Sequence, residues 1–358
     1  MKYMLVVTLS LILAINLSAQ SDKERALEKA REAIEVMDDG NYEESIKMFE
    51  DCKRMDPTNY VFSYEIALAY TYMKEHGAAI KELKKTVKMS GINSQVFQLL
   101  GNNYSMAGQT DKAIKAYNKG LDRFAEAGNL YLEIGNVYQQ ADDFDQAIIN
   151  YEKGIAVDPM FSSNYYRLAE LYLSSTNKVP GLIYGEIFMN LERTTERTQN
   201  MSEWLYEAYD SAIHFGEDST RIDFCRIRMV MDVESFNSGE EFELPYCAIF
   251  GKSMAIAIIM QSEVSPQSLS EMRTTFIELY YQGDAEKYPV VLFDYHKRMI
   301  EAGVFEAYNH YLFQISNPEL FESWLANHRA DFDQFADWYT TEGNLLEITK
   351  ENAYLRHD

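Results

Sequence analysis

Positions 34 residues apart share size and polarity five times over between residues 26 and 192, and this period constrains the fold more than any other property of the chain. With repeats beginning at Ala26, Tyr60, Ser94, Gly128 and Ser162, the eighth positions are Ala33, Ala67, Gly101, Gly135 and Ala169. The eleventh are Val36, Tyr70, Tyr104, Tyr138 and Tyr172. The twentieth are Ser45, Ala79, Ala113, Ala147 and Gly181, and the twenty-fourth Phe49, Leu83, Tyr117, Tyr151 and Gly185. Small residues at the eighth and twentieth positions let two helices approach closely, and the ring at the eleventh fills the space beside them. Asp39-Gly40-Asn41 and Ala107-Gly108-Gln109 put glycine where a helix end requires a positive φ. Each repeat is therefore expected to be a helix, a tight turn and an antiparallel helix. One such hairpin cannot bury its own apolar stripe, so neighbours must stack.

Motifs such as LGNNYSMAGQTDKAIKAY and IGNVYQQADDFDQAIINY resemble the tetratricopeptide-repeat family over about residues 26–192. The resemblance implies an all-α, right-handed solenoid of about five hairpins. Lys29 and Glu32 depart from the pattern and suit a solvated cap, while the segment 174–181 replaces the short turn of the fifth repeat, so that hairpin is expected to be looser. Tetratricopeptide arrays usually bind extended segments on the concave face of their first helices, and the resemblance implies that positions 2, 5, 9, 12 and 13 line it. Repeats one and two supply Leu27, Ala30, Ile34, Val61, Tyr64, Leu68 and Tyr72 there; repeats three and four supply mostly Asn and Gln, and repeat five Tyr166 and Glu170. The expected partner-binding residues are Tyr64, Leu68, Tyr72, Gln98, Asn102, Asn136, Gln139 and Tyr166, with Asn103 pointing away. Capture of a carboxylate tail needs several bases on this face, and only Arg167 is near it. Amides match the donor and acceptor of a peptide group, so an extended, uncharged or partly apolar segment is the predicted ligand.

From residue 193 the period is lost, and residues 193–358 read as an acidic, mainly helical domain that resembles no family we can name. Helices are expected over Ser202 to His214, Tyr246 to Gln261, Ser268 to Tyr281, Pro289 to Glu301, Phe305 to Phe313, and Glu319 to Tyr339 with a break near Arg329. Rough alternation and β-branched content over 220–232 predict a short strand or hairpin.

The opening MKYMLVVTLSLILAINLSAQSD has one early charge at Lys2, an apolar run and then small and polar residues, the layout of a secretory signal peptide over residues 1–20. The run is shorter than the roughly 20 residues that span a bilayer. No cysteine lies near the expected cleavage site, which disfavours lipid attachment. A periplasmic or secreted location without stable membrane insertion is the expectation. In an oxidising compartment Cys225 and Cys247 could pair, closing a loop worth about 3 kcal/mol, or both could be small buried residues. The net charge of −23 excludes a phosphate backbone as partner. Residues 201–358 carry 28 acids against 11 bases, which also disfavours an anionic membrane surface.

Motifs for chemistry are weak. FGKSMA (250–255) has Tyr246 where a phosphate-binding loop needs glycine, and Ser175-Thr176-Asn177-Lys178 runs into Val179-Pro180 and reads as a loop. DDGNYEESIKMFE (38–50) lacks the glycine of a calcium loop, and the six histidines show no metal spacing. Asp331, Asp333, Asp337 and Glu342 interleave with aromatic residues as a solvated helix face would. No catalytic, cofactor-binding or metal-binding residue is assigned. The leading expectation is an exported, non-enzymatic scaffold that binds a segment of another envelope protein. A carbohydrate-binding module using the amides with Tyr64, Tyr72 and Tyr166, and an enzyme housed in 193–358, are the alternatives.

Overall fold

A computed structural model describes residues 21–216, 220–226 and 246–355. The expected signal peptide and the end of the expected strand, 227–232, lie outside the described residues. The chain divides into two compact units, Met1–Asp143 and Phe144–Asp358.

In the first unit, helix α1 (21–38) is followed by α2 (Tyr42–Met55), α3 (Tyr60–Tyr72), α4 (His76–Thr86), α5 (Ser94–Met106), α6 (Thr110–Leu121) and α7 (Gly128–Gln140). The leading helices of repeats two, three and four thus start at their predicted first residues. Asn59 and Asn93 cap two of these starts by accepting hydrogen bonds from the N–H groups of Val61 and Gln95. Gly40 and Gly108 adopt φ of +82° and +71° at the turns, as the sequence requires. Lys74 and Asp142 hold φ of 60° and 58° at the equivalent turns of repeats two and four, where no glycine relieves the Cβ clash.

The predicted small-residue contact is literal at repeat three: a Cβ on Gly101 would collide with the ring of Tyr117. At Gly120 it would come within 2.6 Å of Leu130 and 2.8 Å of Phe97. Asn103 is fully buried. Its Nδ2 donates to Thr71 Oγ1 at 2.8 Å and to the Leu99 carbonyl at 2.9 Å, and its Oδ1 lies 3.0 Å from His76 Nδ1. It ties the second hairpin to the third, so its orientation away from the groove has a structural purpose.

The second unit contains α8 (Phe144–Val157), α9 (Ser162–Leu173), α10 (Val179–Leu191) and α11 (Glu196–Ala212). A two-stranded antiparallel ribbon follows, β1 (Ile213–Phe215) with β2 (Thr220–Ile222), in the register Ile213 to Ile222. Then come α12 (Tyr246–Ala257), α13 (Pro266–Gly283), α14 (Val291–Glu301), α15 (Phe305–Leu312), α16 (Pro318–Asn327) and α17 (Arg329–Thr340). Apart from the ribbon, the described residues form an all-α fold.

The expectation of a loose fifth hairpin is corrected. Every residue of α10 from Val179 to Asn190 is buried. Pro180 sits in the first turn, where its missing N–H costs nothing. Gly181 packs against Leu173, and Gly185 against Met201 and Leu205, at distances that leave no room for a Cβ. The irregular loop therefore precedes the most enclosed helix of the unit. The helix expected over 202–214 begins earlier, at Glu196, and gives way to the ribbon after Ala212. Pro318 opens α16 as expected, whereas α14 starts two residues beyond Pro289. The period predicts a domain boundary after 192; the two compact units meet between Asp143 and Phe144, within the fourth repeat. Cys225 and Cys247 are joined in this structure with Cα atoms 6.4 Å apart, while Cys52 is buried and unpaired.

Replacing Gly101 with alanine should lower the unfolding free energy by about 1–3 kcal/mol, because the methyl must displace the Tyr117 ring. Denaturant titration measures it, and the circular dichroism spectrum of the folded variant should remain helical. Denatured but unreduced protein should alkylate at Cys52 alone, and reduction should release Cys225 and Cys247, which peptide mass spectrometry reads directly.

Candidate functional site

On α3, Tyr64, Leu68 and Tyr72 are spaced by four and so share one face. Tyr64 and Leu68 are half-buried against the core of the first unit. Tyr72 is 54% exposed, with its ring 5.5 Å from that of Tyr42. Leu27, Ile34 and Val61, at other groove positions of repeats one and two, are also exposed, at 50%, 39% and 38%, whereas Met37 at position 12 of repeat one is buried. Apolar groups held in water at periodic positions of successive repeats are the kind of surface that marks an interaction face.

The amide positions of repeats three and four converge on a residue that the sequence reading did not select. Glu133 Oε1 accepts from Gln98 Nε2 at 2.7 Å and, weakly, from Asn102 Nδ2 at 3.5 Å, and its Oε2 accepts from Asn136 Nδ2 at 3.2 Å. Gln98 in turn accepts from Asn129 Nδ2 at 2.8 Å, and Asn129 accepts from Ser94 at 3.0 Å. Tyr117, whose ring covers Gly101, donates its hydroxyl to Asn102 Oδ1 at 2.6 Å. Burial, with Glu133 nearby, raises the Tyr117 pKa, so this donor keeps its proton. Asn102 and Asn136 are therefore linked through a carboxylate, and their donors turn toward it before they meet any ligand. The positions beside it are not neutral: the sixth residues of the five repeats are Arg31, Glu65, Leu99, Glu133 and Arg167. The Glu65 carboxyl is raised by burial and then by Asp38. Glu133 is the sixth residue of its repeat, next to the fifth, which the repeat pattern assigns to the groove.

Gln139 belongs to α7 with Asn136. Tyr166 belongs to the second unit, whereas the other seven expected residues belong to the first. It is 9% exposed, 5.0 Å from the Phe188 ring and 5.7 Å from the Trp204 ring, with the Arg197 guanidinium 5.2 Å from its centroid. A ring covered in this way offers no free face for stacking on a sugar.

The second unit holds a convergent polar cluster that sequence separation hid. Glu186 Oε1 accepts from Arg273 Nη2, from His296 Nε2 at 2.6 Å and from the Tyr308 hydroxyl at 2.8 Å. Arg273 also donates to Asn309 Oδ1, and Asn190 donates to the Tyr308 oxygen at 2.9 Å. Burial alone would raise the Glu186 pKa, but Arg273 and then His296 hold it down to about 2. Burial pushes the His296 pKa below its usual 6.5 against the pull of Glu186. The space beside this cluster is only about 10 Å³, on the order of what a single water needs, and its groups are bonded to one another. A larger hollow of about 580 Å³ in the same unit is bordered by Trp204, Glu207 and Asp210. The Ser175 hydroxyl donates to the Tyr172 carbonyl and Lys178 Nζ to the Leu173 carbonyl, so neither is arranged as a nucleophile and its base. FGKSMA lies within α12, where Lys252 pairs with Asp284 at 3.2 Å. Among the described residues there is no acid, histidine and cysteine grouping suited to a metal, and no helix long and apolar enough to cross a membrane.

The repeating hairpins and their period define a helical-repeat scaffold. Residues 128–159 match the tetratricopeptide-repeat family model, so the chain carries a tetratricopeptide repeat there. No curated protein matches it. Similar solved structures include PilF of Pseudomonas aeruginosa, at 16% identity over 53% of this chain and 86% of that one, with a TM-score of 0.44. TTC0263, a TPR protein of Thermus thermophilus, is 16% identical over 50% and 98%, with a TM-score of 0.42. A form of MamA from Desulfovibrio magneticus RS-1, spanning residue 41 to its end, is 15% identical over 48% and 97%, with a TM-score of 0.37.

Replacing Arg273 with methionine should cost about 3–5 kcal/mol, because Glu186 is left as an uncompensated buried charge. Acid should also weaken the fold. Between folded and unfolded pKa values, His296 and Glu186 each bind more protons when unfolded, so stability rises with pH there. It should fall as pH drops below 6.5 through His296, and again between 4.5 and about 2 through Glu186. His310, held down to about 4 by burial and then by His328, adds to the same slope. Thermal melts across this range, repeated with His296→Phe to shrink the first step to the share of His310, check the assignment.

Proposed function

We propose that the chain is an exported scaffold whose first compact unit holds an extended, partly apolar segment of another cell-envelope protein. Tetratricopeptide repeats serve as protein-interaction scaffolds, and the surface of this unit favours that use over chemistry. The observation that carries the reading is the exposure of Leu27, Ile34, Val61 and Tyr72, four large apolar side chains at groove positions of consecutive repeats. Beside them in sequence, Gln98, Asn102 and Asn136 are oriented by Glu133 rather than free to rotate. Preorganised groups lose less entropy on binding than mobile ones. A bound segment would place apolar side chains against the ledge of repeats one and two, and backbone N–H groups or a basic side chain toward Glu133. Acidic segments are disfavoured there because Glu65 and Glu133 would repel them.

The charge of the second half and the layout of residues 1–20 support a soluble exported protein, with a partner drawn from the same compartment. The role proposed for the Cys225–Cys247 bond is to fix the ribbon to α12 under oxidising conditions. No catalytic step is needed for this function.

The full-length protein with Ile34→Ser, Val61→Ser and Tyr72→Ser together should lose at least about tenfold in capture of its partner from an envelope extract, while its melting temperature stays within a few degrees. Glu133→Gln alone should change which partner segments are retained, as read by crosslinking and mass spectrometry. Undiminished capture by the triple variant would overturn the proposal.

A further inference from the structure

A second surface of the first unit has the opposite chemistry and is not used by the groove. Lys112, Lys115 and Lys119 on α6 are spaced by three and four residues and form one stripe. Lys84, on α4, and Lys88, just beyond it, are four apart. All five lysines line a single hollow of about 380 Å³. Its floor includes Phe97, Leu100 and Tyr104 of α5, each buried. The ammonium groups of Lys84 and Lys112 lie 5.7 and 6.0 Å from the centroid of the Tyr104 ring. No acid is among the residues lining this space.

That concentration is unexpected in a chain of net charge −23. Like charges at helical spacing repel, so an anion bound among them relieves that repulsion. Three other lysines of the unit are paired with acids within the fold: Lys53 and Lys85 share Glu82, and Lys29 pairs with Asp51. Lys112 donates to the neutral Gln109 at 2.7 Å.

We propose that this hollow is a docking site for an acidic peptide segment that inserts one large apolar side chain between flanking carboxylates. The apolar floor takes the side chain, and the two lysine stripes take carboxylates on either side of it. The volume suits one or two large side chains. A flat anionic membrane is a poorer match, because the apolar atoms lie beneath a rim of ammonium groups instead of projecting beyond it. The site differs from the groove in both position and charge, so the two proposals stand or fall separately.

The test uses the full-length protein and a fluorescein-labelled twelve-residue peptide with one central phenylalanine flanked by glutamates. Anisotropy should report saturable binding that weakens at least about tenfold from 50 to 300 mM salt, as charge pairing requires. It should also weaken at least about fivefold when phenylalanine is replaced by serine in the peptide. Lys115→Glu with Lys119→Glu should abolish binding. Lys47→Glu, an exposed lysine on α2 outside the hollow, is the charge control and should leave it within about twofold. Circular dichroism verifies that each variant is folded. Absence of binding, equal loss with Lys47→Glu, or indifference to the phenylalanine would overturn the proposal. So would binding to phosphatidylglycerol vesicles that Lys115→Glu with Lys119→Glu removes, when the peptide does not compete.

Discussion

The contact between Gly101 and Tyr117 orients the polar network of repeats three and four, which adjoins in sequence the ledge on which function is proposed. Because Gly101 has no Cβ, α6 can bring the Tyr117 ring onto α5, and the ring's hydroxyl then reaches Asn102. Asn102 lies one helical turn from Gln98, and both donate to Glu133 on α7. A single small residue, chosen for helix packing, therefore also orients a polar network on the surface. The same logic recurs at Gly181 and Gly185, where the absence of side chains allows α10 to be enclosed by its neighbours.

Enclosure of α10 has a polar consequence. Glu186 enters an apolar interior and must be compensated, which Arg273, His296 and Tyr308 do from α13, α14 and α15. A buried ion pair seldom adds net stability over a well-packed apolar core, but removing one partner is severe. The cluster thus fixes which helices surround α10 and makes that packing sensitive to acid. Its groups resemble the ingredients of an active site, yet here they bond to one another across four helices.

Period and turn chemistry made the first unit legible: α3, α5 and α7 begin at the residues that a spacing of 34 specifies, and Gly40 and Gly108 turn as expected. Beyond residue 192, apolar spacing located most helices to within a few residues, including the break between α16 and α17. The ribbon at Ile213–Phe215 was hidden because three residues of strand extend an amphipathic helix without changing its pattern. Glu133 was missed because attention to fixed groove positions passed over its neighbour. Glu186, Arg273 and His296 are 87 and 23 residues apart along the chain, and no local pattern relates them. The lysine hollow was visible only once α4 and α6 were placed side by side.

The central claim is that the apolar ledge of repeats one and two is where another protein lies. Photocrosslinking tests it most directly, with benzoylphenylalanine placed at Tyr72 and, in a separate protein, at the exposed Lys47. The account predicts that crosslinks from position 72 gather on one short partner segment that is extended, contains apolar side chains and lacks acids, while position 47 gives none to that segment. Crosslinks that are equal from both positions, or that are absent from position 72 when the partner is bound, would contradict it.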